Sequence, residues 1–142
     1  MKHPWCHAVL YLGKRVENRS WVPKHRGPIL LHASLTMSTP YYEDSCERMR
    51  RIGVEPPRRE DLAFGGIVGR CDFVDVIPRG SFADQAQKVA DKWGVDVKWW
   101  MREYNRKLQN GLILQNVEVF PKLIPYLGEL NLFEVDETKL VA

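Results

Sequence analysis

From Trp5 onward the apolar positions keep a helical rhythm: Trp5, Ala8, Val9 and Leu12 recur at i, i+3, i+4 and i+7 behind Pro4. Gly13 supplies a left-handed stop. Arg15 to Trp21 then reads as a strand, Pro23 to Pro28 as a turn, and Ile29 to Ala33 as a second strand, apolar on both faces and therefore central. Residues 39–52 predict a helix with Thr39 as its N-cap, Pro40 behind it and Gly53 at its end. After the polar connection Pro56-Pro57-Arg58-Arg59, the stretch Gly66 to Ile77 is the longest β-like run. There Ile67, Cys71, Phe73 and Ile77 alternate with Arg70 and Asp72, and Gly65, Gly66 and Gly69 predict a bulge or bend. Residues 82–92 predict a helix. So does Val97 to Leu108, with Val97, Trp100, Met101, Tyr104 and Leu108 on one face and Asn110-Gly111 at its end. Leu112 to Phe120 and Glu129 to Val135 read as closing strands joined through Pro121 to Gly128. The order α-β-β-α-β-α-α-β-β holds more strands than a doubly wound sheet allows. It predicts an α+β fold, a small and mostly antiparallel β-barrel decorated by about four helices.

Composition narrows the class. A chain of 142 residues fits a single domain, 1–142, and buries about two-thirds of its unfolded surface. With 44% hydrophobic and 27% charged residues, disorder is excluded. A net charge of +3 permits contact with phosphates without demanding it. The three cysteines, Cys6, Cys46 and Cys71, are far apart and form no CxxC pair, which argues against a disulfide framework and for a reducing, cytoplasmic setting. No window resembles a signal peptide or a membrane span, so no membrane partner is expected.

The chemistry concentrates in Lys14-Arg15-Val16-Glu17-Asn18-Arg19-Ser20-Trp21. Strand alternation sends Glu17, Arg19 and Trp21 to one side and Val16, Asn18 and Ser20 to the other. Two uses fit that face. As a pocket wall, Arg19 meets a phosphate or base edge, Trp21 stacks, and Glu17 orients a cation or accepts a proton. Lys14, at the helix-to-strand corner, swings into the same cavity as a proton-transfer group. As an exposed sheet face, Glu17 and Arg19 form a pair contributing about 0–1 kcal/mol. Lys14 then gains about 0.3–1 kcal/mol from the helix C-terminus.

Pro4-Trp5, Gly13-Lys14, Glu17-Asn18-Arg19-Ser20-Trp21 and Arg26 through Ala33 together resemble the ASCH domain family, of the PUA-like superfamily of small β-barrels. Lys14, Glu17 and Arg19 match the spacing of its G-x-K-x-x-E-x-R signature, whereas Gly13 lies one residue closer to the lysine than the signature asks. Gly65 to Gly69 and Pro121 to Phe133 carry the resemblance along nearly the whole chain. The resemblance implies a cleft beside the signature that binds RNA or a modified nucleoside. It makes Lys14 and Glu17 the candidate catalytic residues, and Trp5, Arg19, Trp21, Ser34 and Asn116 the candidate substrate contacts. Some members are similar to amidohydrolases acting on N4-acetylcytidine, and another cuts RNA. In the amidohydrolase branch threonine stands where this chain has Glu17, so an enzyme here implies attack by water with Glu17 as base. The same pocket without turnover makes an RNA reader, and a protein-interaction module is the third possibility.

Other candidates are weaker. His3 and His7 stand at i, i+4, but no third ligand has convincing spacing, so neither a metal nor another cofactor is expected. His32 predicts a hydrogen-bonded core histidine that shares a face with Ser34. Gln115-Asn116 interrupts an apolar strand, and Asn116 there is suited to read a base edge. Lys98, Arg102 and Arg106, like the run Arg48, Arg50, Arg51, Arg58 and Arg59, predict solvated faces unless they flank the pocket as a phosphate track.

Overall fold

In the computed structural model, which describes residues 1–127, the elements are α1 (Trp5–Tyr11), β1 (Val16–Arg19), β2 (Gly27–Ala33), α2 (Thr39–Arg51), β3 (Gly66–Ile77), α3 (Ala83–Trp93), β4 (Glu103–Tyr104), β5 (Lys107–Leu108) and β6 (Asn110–Pro125). Short 3-10 turns occupy Arg59–Asp61 and Val97–Trp99. Four strands run in the order β1-β6-β3-β2, and β4 with β5 forms a separate hairpin. The class is therefore α+β, as expected. Among the described residues there are three α-helices rather than about four, β2 stands at an end of the strand order rather than at its centre, and the barrel is not closed. The expected strand from Glu129 to Val135 lies outside the described residues. No helix among them is long and apolar enough to cross a membrane.

The chain divides into two compact units. The first takes Met1–Gly13, Leu30–Arg70 and, of the described residues, 118–127. Cys6, Ala8 and Val9 are fully buried on α1, and Cys46 and Met49 are buried on α2. The N-terminal ammonium donates to the His32 carbonyl at 2.7 Å, and Ser34 donates to Met1 O through both its backbone N–H and its hydroxyl. His32 is half-buried rather than in the core, and its Nε2 pairs with Tyr126 O at 2.7 Å, the hydrogen bond expected of it. The cap of α2 is Ser38, one residue earlier than expected: its hydroxyl accepts from Tyr41 N–H, which leaves Thr39 inside the first turn beside Pro40. Gly66 and Gly69 are needed for close approach. A Cβ at Gly66 would stand 2.5 Å from the Ile124 carbonyl oxygen, and one at Gly69 would run into that of Glu118.

The second unit takes Lys14–Ile29 and Cys71–Val117. Antiparallel pairing sets Val16 opposite Ile113, Glu17 opposite Leu112, Asn18 opposite Gly111 and Arg19 opposite Asn110. Its core holds Val16, Phe73, Ile77, Ala86, Ala90, Trp99 and Ile113. The helix expected over Val97 to Leu108 does not form. After one 3-10 turn the chain makes the β4–β5 hairpin, with Tyr104 opposite Lys107. Asn105 and Arg106 between them both have positive φ, 50° and 62°, as a two-residue hairpin turn requires. Tertiary bonds override the helical period. The Asn18 carboxamide donates to Trp99 O at 2.9 Å and accepts from Met101 N–H at 2.8 Å, occupying backbone groups that a helix needs for itself. Trp99 is buried in place of the expected Trp100 face, and Leu108 is exposed. Asn110-Gly111 opens β6 instead of ending a helix, and β6 continues through Pro121, a residue tolerated in a strand only where its missing N–H is not required.

Candidate functional site

The corner between α1 and β1 is built by Gly13, whose φ of +75° turns the chain out of the helix. Lys14 follows, and its side chain is buried, with 1% of its surface exposed. The ammonium donates to the Val16 carbonyl at 2.5 Å and lies 3.5 Å from Glu17 Oε1. Oε1 also accepts from the Asn18 backbone N–H at 3.2 Å. Among the described residues the other carboxylate oxygen, Oε2, is buried without a hydrogen-bond partner, and Arg19 Nη2 stands 3.9 Å from it. Arg19 is about one-third exposed, so its guanidinium closes the cluster toward solvent.

Electrostatics follow from that arrangement. Burial pushes the Glu17 carboxyl upward, but the charges of Lys14 and Arg19 and the hydrogen bond from Lys14 outweigh it, and the group ends below its ordinary value. Glu17 is therefore ionised at neutral pH and offers a fixed acceptor. Arg15, beside it, donates to Lys14 O at 3.1 Å and fixes the same corner from outside.

Of the expected site residues, Lys14, Glu17 and Arg19 come together. Trp21 does not share the strand face, because β1 ends at Arg19 and Trp21 stands beyond it in a bend, half-buried. Asn116 has a φ of +54°, and its carboxamide donates to Asp72 Oδ2 at 2.7 Å. Trp5 and Ser34 belong to the first unit, where Trp5 starts α1 and the Ser34 hydroxyl is engaged by Met1 O. His3 and His7 have separate environments: His3 Nε2 meets Ala63 O at 2.6 Å, and the His7 ring tilts against Tyr11. The arginines on and after α2 mostly carry their own acids, Arg48 with Asp44, Arg51 with Glu47 and Arg58 with Asp61, as a solvated face would.

Two residues that sequence reasoning passed over position the cluster. Asn18 ties β1 to Trp99 and Met101. Asn110, buried, accepts from Arg79 N–H at 2.9 Å through Oδ1 and donates to Arg19 O at 3.2 Å through Nδ2. The available signal was polar: an amide on the inward side of a strand must find partners for both of its ends.

A family model for the ASCH domain matches residues 1–122. The chain is also similar to activating signal cointegrator 1 of Mus musculus, 26% identical over 94 residues, and to that of Homo sapiens, 25% identical over 91 residues. These matches cover 65% and 63% of this chain, but the chain spans only 16% of the length of either relative.

Proposed function

The chain belongs to the ASCH domain family, and on that premise we propose that it binds RNA by accepting a single base or nucleoside at the corner of Lys14, Glu17 and Arg19. The family is associated with RNA binding, and its PUA-like barrel, with the whole chain as one domain, is part of the same reading. The observation that carries the site is Glu17 Oε2. A buried, ionised oxygen without a donor is unfavourable by about 1–3 kcal/mol, and a nucleobase amine or imino N–H supplies the donor it lacks. Arg19 adds a guanidinium, about one-third exposed, for a phosphate or base edge. Lys14 is the positioning residue, holding Oε1 and leaving Oε2, buried in the free protein, for a ligand that turns the Arg19 side chain aside. Trp5, Ser34 and Asn116 are not required by this reading.

Recognition is favoured over hydrolysis by the charge state of Glu17. A carboxylate held below its usual range is a weak general base. The buried lysine in contact with a carboxylate is the feature that favours the enzymatic alternative, in which Lys14 and Glu17 move protons during hydrolysis of RNA or a modified nucleoside.

The test is nucleoside titration followed by NMR, paired with a turnover assay on N4-acetylcytidine and on RNA. Binding should weaken about 10-fold or more in Arg19→Ala and in Glu17→Gln, as expected for lost charge-assisted hydrogen bonds. Equal affinity in wild type and both variants would remove the site. Turnover abolished by both Lys14→Ala and Glu17→Gln would replace the reader with the enzyme. Binding of a protein partner that Arg19→Ala leaves untouched and RNA does not compete would make the domain an interaction module.

A further inference from the structure

The second unit carries a different group of cations from those on α2. Arg79, Arg102, Arg106 and Lys107 are exposed, and among the described residues none of them makes an ion pair. One local arrangement gathers them. Arg102 Nε donates to Ser81 O at 3.1 Å and Nη2 to Gly80 O at 3.5 Å, seating the base of the β4–β5 hairpin on the turn that begins at Arg79. Its guanidinium stands 5.5 Å from the centroid of the Phe82 ring. Phe82 is 67% exposed, an unusual position for a phenyl ring without a partner surface. The Asn105-Arg106 turn then carries Arg106 and Lys107 at the tip. Within segments 79–84 and 102–107 the acids are Asp84 and Glu103, both exposed, against four cations.

Unneutralised cations around an open aromatic face suit a polyanion that also carries flat rings. Asn110 joins this surface to the base site, since one carboxamide holds both Arg79 N–H and Arg19 O. We propose that Phe82, Arg79, Arg102 and the β4–β5 hairpin bind single-stranded RNA adjoining the recognised base, with phosphates against Arg79, Arg106 and Lys107 and a base stacked on Phe82. This rests on the reading of the Glu17–Arg19 corner as a base site and names its ligand as a strand instead of a free nucleoside.

The experiment measures anisotropy of a labelled oligouridine over a range of salt for wild type, the double variant Arg106→Gln/Lys107→Gln, and Phe82→Ala. The changed side chains are exposed, and Arg79→Gln provides a further variant away from the hairpin turn. The double variant should weaken binding about 10-fold and reduce the slope of log K against log salt by about 1.4, as two lost phosphate contacts on a single strand require. Phe82→Ala should weaken binding about 5-fold or more. Free nucleoside affinity should stay at the wild-type value in both. Unchanged RNA affinity and salt slope in all three variants would overturn the proposal. So would competition by a polyglutamate peptide as strong as that by unlabelled RNA, which would mark a surface for an acidic protein. The two readings fail separately. If wild type takes no nucleoside yet the hairpin variants lose RNA, the base site falls and this surface stands. If nucleoside binding depends on Arg19 while RNA binding ignores the hairpin, this surface falls alone.

Discussion

Lys14 and Glu17 lie three residues apart at the start of β1, and the lysine ammonium sits 3.5 Å from one oxygen of a carboxylate whose other oxygen has no hydrogen-bond donor among the described residues. The pair is thus half-satisfied: the lysine is held by Val16 O as well as by Glu17, while the glutamate retains acceptor capacity. Glu17→Gln keeps the shape and removes the charge that balances Lys14. It should lower stability by about 1–3 kcal/mol, read as a shift in denaturation midpoint at constant slope. A change within about 0.5 kcal/mol would mean that solvent already balances the lysine.

Acid should act through the same carboxyl. Its folded pKa is depressed, so its contribution is fully present above the ordinary glutamate value, about 4.3, and is lost as pH falls through the lower folded value. Wild type should therefore lose stability more steeply below about pH 4.3 than Glu17→Gln does, in denaturation series across pH. Parallel acid limbs would contradict the depressed value.

Asn18 should be intolerant of both deletion and charge. Asn18→Ala removes the hydrogen bonds to Trp99 O and from Met101 N–H and should cost about 1–3 kcal/mol. Asn18→Asp keeps the acceptor for Met101 but sets a carboxylate against the Trp99 carbonyl, so it should be no more stable than the alanine variant. Hydrogen exchange at Met101 separates the two: protection should persist in Asn18→Asp and vanish in Asn18→Ala.

Two glycine substitutions should part company. A Cβ at Gly13 meets open space, so Gly13→Ala should lose only about 1–2 kcal/mol for its left-handed φ. Gly69→Ala drives a methyl into the Glu118 carbonyl and the Leu10 side chain and should lose more, about 1–3 kcal/mol beyond any effect of conformation. Thermal unfolding of both variants checks the order, and equal losses would show that the strands at Gly69 move apart freely.

How far the sequence reveals this molecule depends on the range of the forces involved. Helices α1, α2 and α3 and the strand from Gly66 to Ile77 are legible because periodicity and local stop signals agree there. The segment after Val97 is not, because its fate is decided by Asn18, some 80 positions away in the chain. Strand alternation placed Glu17 and Arg19 together correctly. It failed for Trp21 because the strand ends two residues earlier. The open oxygen of Glu17 has no sequence signature, since it depends on which of two oxygens Lys14 and Asn18 take.

The Asn18 clamp also acts as a register lock. β1 has only four residues, too few for backbone pairing alone to fix its position against β6. A slip by one residue would present Glu17 or Arg19 to Trp99 O and Met101 N–H, and would turn Val16 out of the core. Neither charged side chain can both give and receive a hydrogen bond as the amide does. A single uncharged residue between two ionised ones thereby determines which side of the strand the ionised ones face.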